Sequence, residues 1–172
     1  TYMVVDPRRD HSFKIPRPDI SVELNTPNAC TQCHTDKTDQ WAADISLKWF
    51  DNLTRHPNTA DLFSKWWVGD MSAAPDLMAL VNDDIQNAIV RASAAQILGN
   101  YPSQQTLQVL MTALQSDDVE VRIGAVRALE FLPAQRRVVF LQLLNDSSKA
   151  VRLEVARLMA PMPQENLPPQ VI

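Results

Sequence analysis

A single pattern recurs three times along this chain and decides its fold: VRASAAQIL at residues 90–98, VRIGAVRAL at 121–129 and VRLEVARLM at 151–159. The arginines at its second position, Arg91, Arg122 and Arg152, are 31 and then 30 residues apart. Apolar residues return at helical spacing within each copy. A repeat of this period indicates helical hairpins that stack, because a lone hairpin cannot bury its apolar face.

The residues before each copy complete a hairpin. The turns NDD (82–84), SDD (116–118) and NDS (145–147) each follow an apolar helix, predicted at 77–81, 107–114 and 138–144. We expect the turn aspartates to cap the second helix of each hairpin. The arginine one turn inside can then reach an aspartate of the same or the adjacent hairpin, which gives a ladder of ion pairs along the stack.

The repeats also carry small residues at which neighbouring helices can approach closely: Ala94, Ala95, Gly124, Ala125, Ala128 and Ala156. Over residues 73–160 the pattern resembles HEAT repeats, in their short form of about 30 residues. The resemblance implies an all-α fold, a short solenoid of about three helical hairpins.

Proline separates the ends of the chain from its middle. Four prolines precede the cysteines and four lie between residues 161 and 169, whereas only Pro102 and Pro133 fall between Pro75 and Pro161. We therefore expect an irregular, Pro-rich start, with residues 1–29 extended over another part of the molecule. A helix is predicted over 30–50, a loop over 51–61 and a further helix over 62–71.

Charge and hydropathy give no sign of nucleic-acid binding or membrane insertion. The net charge is −4, and no apolar run approaches the roughly 20 residues of a membrane span. The chain begins Thr1-Tyr2-Met3, without an initiator methionine, and stops after a Pro-rich stretch. We therefore expect a fragment of a longer protein.

The chemistry of the chain is concentrated in Cys30-Thr31-Gln32-Cys33-His34. In c-type haem attachment two cysteines form thioethers with the haem vinyl groups, and the histidine that follows ligates iron. Two intervening residues hold the sulfurs at the separation of the vinyls. We predict one haem c in this chain, attached to Cys30 and Cys33, with His34 as an iron ligand.

Other uses of these residues remain open. A zinc site would need Cys30, Cys33, His34 and either His11 or His56, and the two cysteines could instead form a redox disulfide. The second iron ligand could come from His11, His56 or a methionine. We expect four methionines to pack in the core instead: Met71, Met78, Met111 and Met159.

Further residues have two possible roles each. The four tryptophans, Trp41, Trp49, Trp66 and Trp67, either line the haem edge or pack in the core. Trp41 and Trp49 share one helical face with Ile45. The basic residues Arg8, Arg9, Lys14 and Arg17 either pair with haem propionates or stay solvated.

A second resemblance covers the start of the chain. YMVVDPRRDHSFKIPRPD at 2–19, NTPNAC at 25–30 and WAA at 41–43 resemble bacterial multihaem c-type cytochromes, specifically HEAT- or tetratricopeptide-repeat proteins with a cytochrome c-554-like region. The resemblance implies His11 as an iron ligand, for this haem or one attached upstream, and makes this the last haem of a longer chain. It also implies export to the bacterial periplasm, and neighbouring haem domains or a redox protein as partners.

Together these patterns predict three regions and one role. Residues 1–58 form a haem-binding segment, 59–161 the HEAT-like repeats, and 162–172 a tail or linker. We expect electron transfer through the haem, with the repeats as scaffold or docking surface. No catalytic constellation is recognisable, which favours a carrier over an enzyme. The alternatives are an interaction scaffold without haem, and part of a multihaem redox enzyme whose active-site haem lies outside this chain.

Overall fold

The computed structural model describes residues 16–50 and 59–162, and within these ranges it contains helices and turns but no β-strand. The predicted all-α class is confirmed. The chain divides at Ser64 into a first and a second compact unit. No helix in the described ranges is long and apolar enough to cross a membrane.

The first unit contains α1 (Pro18–Glu23), α2 (Ala29–Cys33) and α3 (Asp39–Trp49). The presence of α1 corrects the prediction of an extended segment within residues 16–29. Residues 1–15 of that segment, and most of the loop predicted over 51–61, lie outside the described residues. Pro18 occupies the first turn of α1, where a missing N–H costs no hydrogen bond, and Asp19 lies at the positive end of the helix. α1 packs on α3, and Pro18, Ala42 and Ala43 are buried.

The single helix predicted over 30–50 is also wrong, because α2 ends at Cys33 and α3 begins at Asp39. Thr38 is the N-cap of α3, and its side chain accepts a hydrogen bond from the N–H of Trp41 at 3.1 Å. Such a cap satisfies an N–H that would otherwise lack a partner at a helix start. It therefore favours a new helix after a turn over continuation of α2.

α4 (Ala60–Trp67) spans the division between the units and ends earlier than the predicted helix over 62–71. Gly69 has a positive φ of 76°. Its N–H donates to the carbonyl of Trp66, and the N–H of Asp70 donates to that of Lys65, both at 2.9 Å. This pair of bonds is the Schellman ending, in which glycine adopts the left-handed conformation at low cost.

The second unit holds the three predicted hairpins. A 3₁₀ turn (Met71–Ala73) leads into α5 (Ala74–Val81), followed by α6 (Ala88–Leu98), α7 (Gln104–Ala113) and α8 (Val119–Ala128), a second 3₁₀ turn (Leu129–Phe131), a longer 3₁₀ segment (Ala134–Asn145) and α9 (Lys149–Met159). The three copies of the sequence pattern form α6, α8 and α9. Side chains from all three hairpins are fully buried: Leu77, Leu98, Leu110, Val121, Phe140 and Leu158.

The first member of the third hairpin differs from prediction. The segment Ala134–Asn145 is a 3₁₀ helix, whereas an α-helix was predicted over 138–144. A 3₁₀ helix has three residues per turn, so side chains three apart lie on one side. Phe140 and Leu143 have this spacing, and both are buried. This side of the segment therefore faces the core.

Gly124 confirms the expected close approach of neighbouring helices. A Cβ built at this residue would lie 3.0 Å from the Cα of Ala92 on α6 and still closer to its carbonyl oxygen. Ala94, Ala95, Ala125 and Ala128 are buried, as expected, but Ala156 is exposed. The prediction for Ala156 was therefore wrong, because this face of α9 is open to solvent.

The predicted ladder of ion pairs is present at Arg91 and Arg122, two of its three arginines. Arg91 binds Asp84 of its own hairpin at 2.7 Å and Asp118 of the next at 3.1 Å. The Nε and Nη2 atoms of Arg122 bind the two carboxylate oxygens of Asp146, at 2.9 and 3.0 Å. Arg152 donates to the carbonyl oxygens of Asp146 and Ser147. The first two arginines therefore connect each hairpin to the one that follows.

Capping by the turn aspartates is not observed. Asn87, Asp118 and Ser148 are the N-caps of α6, α8 and α9, and none makes a side-chain capping bond. The carboxylates of Asp118 and Asp146 are engaged by the arginines instead. The methionines are also more exposed than expected, since Met159 is buried, Met78 and Met111 are half-buried, and Met71 is exposed.

Replacement of Gly124 by alanine should destabilise the second unit. The added methyl group meets the backbone of α6, and overpacking of this kind costs about 1–3 kcal/mol. Urea unfolding followed by circular dichroism measures the loss. As a control, Ala156→Leu adds more volume on the exposed face of α9 and should change the free energy of unfolding by less than about 0.5 kcal/mol. Equal stabilities of Gly124→Ala and the wild type would contradict the close packing.

Loss of the Arg122 side chain should make unfolding easier in a pH-dependent way. The hydrogen bonds from Arg122 lower the pKa of Asp146, so this carboxylate stabilises the fold above its unfolded pKa of about 3.9, and the contribution is lost as the pH falls. Removing one partner of a buried pair costs about 3 kcal/mol. Arg122→Met should therefore lose about that much stability at pH 7 and clearly less near pH 3.

The matched control lies on the same helix. Arg127 is 47% exposed and pairs with Glu154, so Arg127→Met should cost no more than about 1 kcal/mol at either pH. Equal effects of the two substitutions at pH 7 would show that the ladder is not a main support of the stack.

Candidate functional site

The two cysteines lie three residues apart on α2, on the same side of that helix. No disulfide joins them; Cys30 is half-buried and Cys33 is exposed. His34 follows directly as the C-cap of α2. The two thiols and the imidazole predicted as site residues are therefore close together and accessible.

These three side chains border a groove of about 340 Å³ between α2 and α3. The α3 side of the groove is formed by Trp41, Ala42, Ile45, Ser46 and Trp49. Trp41 and Ile45 are half-buried, and Trp49 is 70% exposed. The aromatic stripe of α3 thus lines the groove that contains the thiols, while Ala42 and Ala43 make the buried contacts of this helix.

A small hydrogen-bond network holds α2 against α3. The side-chain oxygen of Asn28 accepts from the N–H groups of Cys30 and Thr31, at 3.0 and 3.1 Å. Its Nδ2 donates to Asp39 Oδ1 at 2.6 Å, and the hydroxyl of Thr31 donates to the same oxygen at 2.8 Å. Asn28 is buried. The first turn of the motif helix is therefore fixed relative to α3.

The imidazole of His34 contacts the indole of Trp41. The ring centroids are 5.2 Å apart and the ring planes are tilted by 56°. The backbone of His34 is held on both sides, because its N–H donates to the carbonyl of Cys30 and its carbonyl accepts from the N–H of Lys37. The position of His34 is thus determined by α2, by the following turn and by one aromatic contact.

Several predicted site residues lie outside the described residues. They are His11, His56, Arg8, Arg9 and Lys14. Their proposed roles, including His11 as second iron ligand, therefore stay predictions. Within residues 16–50 and 59–162, no group of three or more His, Cys, Asp or Glu side chains could hold a metal ion. The zinc alternative needed His11 or His56 and is likewise untested.

Arg17, for which pairing with a haem propionate or solvation was predicted, forms an ion pair with Asp19. Its Nε and Nη2 atoms bind the carboxylate of Asp19, at 2.7 Å in the shortest contact. This hydrogen bonding raises the pKa of Arg17 and lowers that of Asp19. The guanidinium of Arg17 is therefore engaged by a neighbouring carboxylate, and a role towards a haem propionate stays a prediction.

The tryptophans separate into two groups. Trp41 and Trp49 line the groove beside the thiols, and their role at a haem edge stays a prediction. Trp66 and Trp67 belong to the second unit, where their rings make an edge contact with centroids 5.8 Å apart. Trp66 lines another groove, of about 450 Å³, with Ile97, Arg127 and Phe131 among its neighbours.

The sequence interpretation overlooked Asn28 and Asp39 as a pair. An asparagine just before a helix is a recognised start signal, and this signal was available at residue 28. The hydrogen bond from Asn28 to Asp39 had no such signal, because it depends on how α2 folds back against α3.

Comparison with protein families matches residues 74–157 to the family described as HEAT repeats. This agrees with the resemblance drawn over 73–160, and the stack of helical hairpins in this region is similar to HEAT repeats. Comparison with curated proteins and with solved structures found no match. The match lies within the second unit and does not extend to the groove with the cysteines.

Replacement of Asn28 by alanine should loosen the motif helix. Loss of an N-cap costs about 0.5–2 kcal/mol, and here it also removes the bond to Asp39. We expect faster amide hydrogen exchange at Cys30 and Thr31, measured by NMR. Ser103 caps α7 through the N–H of Thr106, so Ser103→Ala is the matched control. Ser103→Ala should speed amide exchange in α7 and leave exchange at residues 30 and 31 unaffected. Equal protection of residues 30 and 31 in Asn28→Ala and in the wild type would contradict the role of the cap.

Proposed function

We propose that this chain is an electron carrier that binds one haem c through Cys30 and Cys33, with His34 as an iron ligand and the HEAT repeats as scaffold or docking surface. The observation that carries the proposal is the placement of two unpaired thiols and an imidazole on one apolar, tryptophan-lined groove. Thiols and imidazole are the groups that hold a c-type haem.

Attachment of the haem would need only the two thiols and the two vinyl groups. Each thiol would add across one vinyl group of the haem, so that a C–S bond forms at one carbon and the hydrogen is taken up by the other. No atom leaves and no oxidant is consumed. Because Cys33 is exposed and Cys30 is half-buried, both sulfurs are accessible without unfolding of α2.

The groove suits a flat apolar group. Trp41, Ile45 and Trp49 lie along one face of α3 and would cover part of a macrocycle held by α2. The bound iron would supply a one-electron couple, whose potential depends on its axial ligands and its exposure to water. With His11 as second ligand, which remains part of the proposal, that potential should be low.

The partners and location follow from the same proposal. A carrier exchanges electrons with a redox protein or with neighbouring haem domains of a longer polypeptide. Export to the bacterial periplasm, where thioethers are made, fits the resemblance to multihaem cytochromes. A role within a redox enzyme would require an active-site haem elsewhere in such a polypeptide.

A second candidate is supported by the HEAT repeats themselves. Stacked helical hairpins present extended surfaces that bind proteins, and Phe131, which is 47% exposed, lines the groove of the second unit. The chain would then be an interaction scaffold in which the cysteines carry no haem.

Maturation in a bacterial host that attaches haem c separates the two candidates. The wild type should show a Soret band that survives acid-acetone extraction, because thioethers do not dissociate. The double variant Cys30→Ala/Cys33→Ala should lose that band completely, since haem held only by coordination is extracted. Absorption spectra before and after extraction measure the difference.

The control is Gln32→Ala, which changes an exposed residue between the cysteines and should keep the covalent band. A colourless wild type that still folds and has both thiols free would contradict the carrier and favour the scaffold.

A further inference from the structure

We infer that Trp41 is a positioning residue, which orients the imidazole of His34 for iron ligation. The inference rests on the proposed function and adds a role for a side chain that the attachment motif does not include. It starts from the contact between the two rings, 5.2 Å between centroids at a tilt of 56°.

Backbone constraints alone leave the ring of His34 free to turn. The N–H and C=O groups of His34 are both bonded, which fixes the Cα position, but rotation about the side-chain bonds remains. The side chain is largely exposed to solvent. A ligand that binds iron must hold one nitrogen in a narrow range of directions, and neighbouring groups usually provide that restraint.

Trp41 is suited to provide it because its backbone is fixed and its half-buried indole has less freedom to turn than the exposed imidazole of His34. Its N–H is bonded to the Thr38 hydroxyl in the first turn of α3. The next two residues, Ala42 and Ala43, are each only 2% exposed. The indole therefore extends from a helix that is anchored on both sides of this residue.

The contact also differs from ordinary core packing. Trp41 is only half-buried and lines the groove together with both cysteines. A tryptophan that only packed in the core would be buried, as Ala42 and Ala43 are. The indole instead borders the space in which the iron ligand must act.

The test compares wild type, Trp41→Leu and Trp41→Phe, each matured with haem, with Trp67→Leu as control. Trp67 also has one aromatic partner but lies on the second unit and is 80% exposed. In Trp41→Leu we expect covalent haem to be retained, with partial loss of the low-spin absorption bands and a shifted midpoint potential. Trp41→Phe should keep the low-spin absorption bands and the midpoint potential close to those of the wild type. Trp67→Leu should match the wild type in both measurements.

A second readout needs no haem. In protein made without haem, the NMR signals of the His34 ring protons should carry a ring-current shift from Trp41 that disappears in Trp41→Leu and partly returns in Trp41→Phe. Haem-loaded Trp41→Leu with the bands and potential of the wild type would overturn the positioning role alone. Absence of covalent haem in the wild type would overturn the proposed function and this inference with it.

Discussion

One carboxylate oxygen connects the two elements of the candidate site. Asp39 Oδ1 accepts hydrogen bonds from Asn28 and Thr31, and so ties the motif helix α2 to the first turn of α3. Asn28 in turn satisfies the N–H groups at the start of α2. A five-residue helix is unstable by itself. Its cysteines therefore have a defined position only because these polar contacts, three of them made by buried Asn28, hold it beside the tryptophans.

In the second unit, polar contacts connect successive helical hairpins. Its hairpins bury aliphatic side chains against one another, and apolar contacts alone are not directional. Arg91 and Arg122 each bridge two successive hairpins and are both only 9% exposed. The Arg122–Asp146 pair is buried on both sides, whereas the side chains of Asp84 and Asp118, the partners of Arg91, are 86% and 45% exposed. An intact buried pair adds little net stability, but removal of one partner is costly because it leaves an uncompensated buried charge. The carboxylates of Asp118 and Asp146 bind these arginines, and neither α8 nor α9 has a side-chain capping bond.

Periodic features of the fold were predictable, and contacts between elements were not. The spacing of Arg91, Arg122 and Arg152 was sufficient to identify the hairpins, the ladder and the all-α class. The short helix α1 was hidden because Pro16 and Pro18 suggested extended chain, although Pro18 starts a helix. The 3₁₀ form of Ala134–Asn145 was not predictable, because an apolar spacing of three residues, as at Phe140 and Leu143, fits both an α-helix and a 3₁₀ helix. At the site, Cys30, Cys33 and His34 were evident from their spacing, whereas the role of Asn28 and the ring contact of Trp41 depend on how α2 meets α3.

The central claim is that Cys30 and Cys33 carry a haem, and the most direct measurement is the mass of the peptide that contains them. Trypsin cleaves after Lys14 and Lys37 but not before Pro18, so both cysteines fall in the peptide of residues 15–37. In protein matured with haem, this peptide should appear with the added mass of one intact haem and with no thiol that reacts with iodoacetamide. The same peptide at its unmodified mass, with two reactive thiols, would contradict the account.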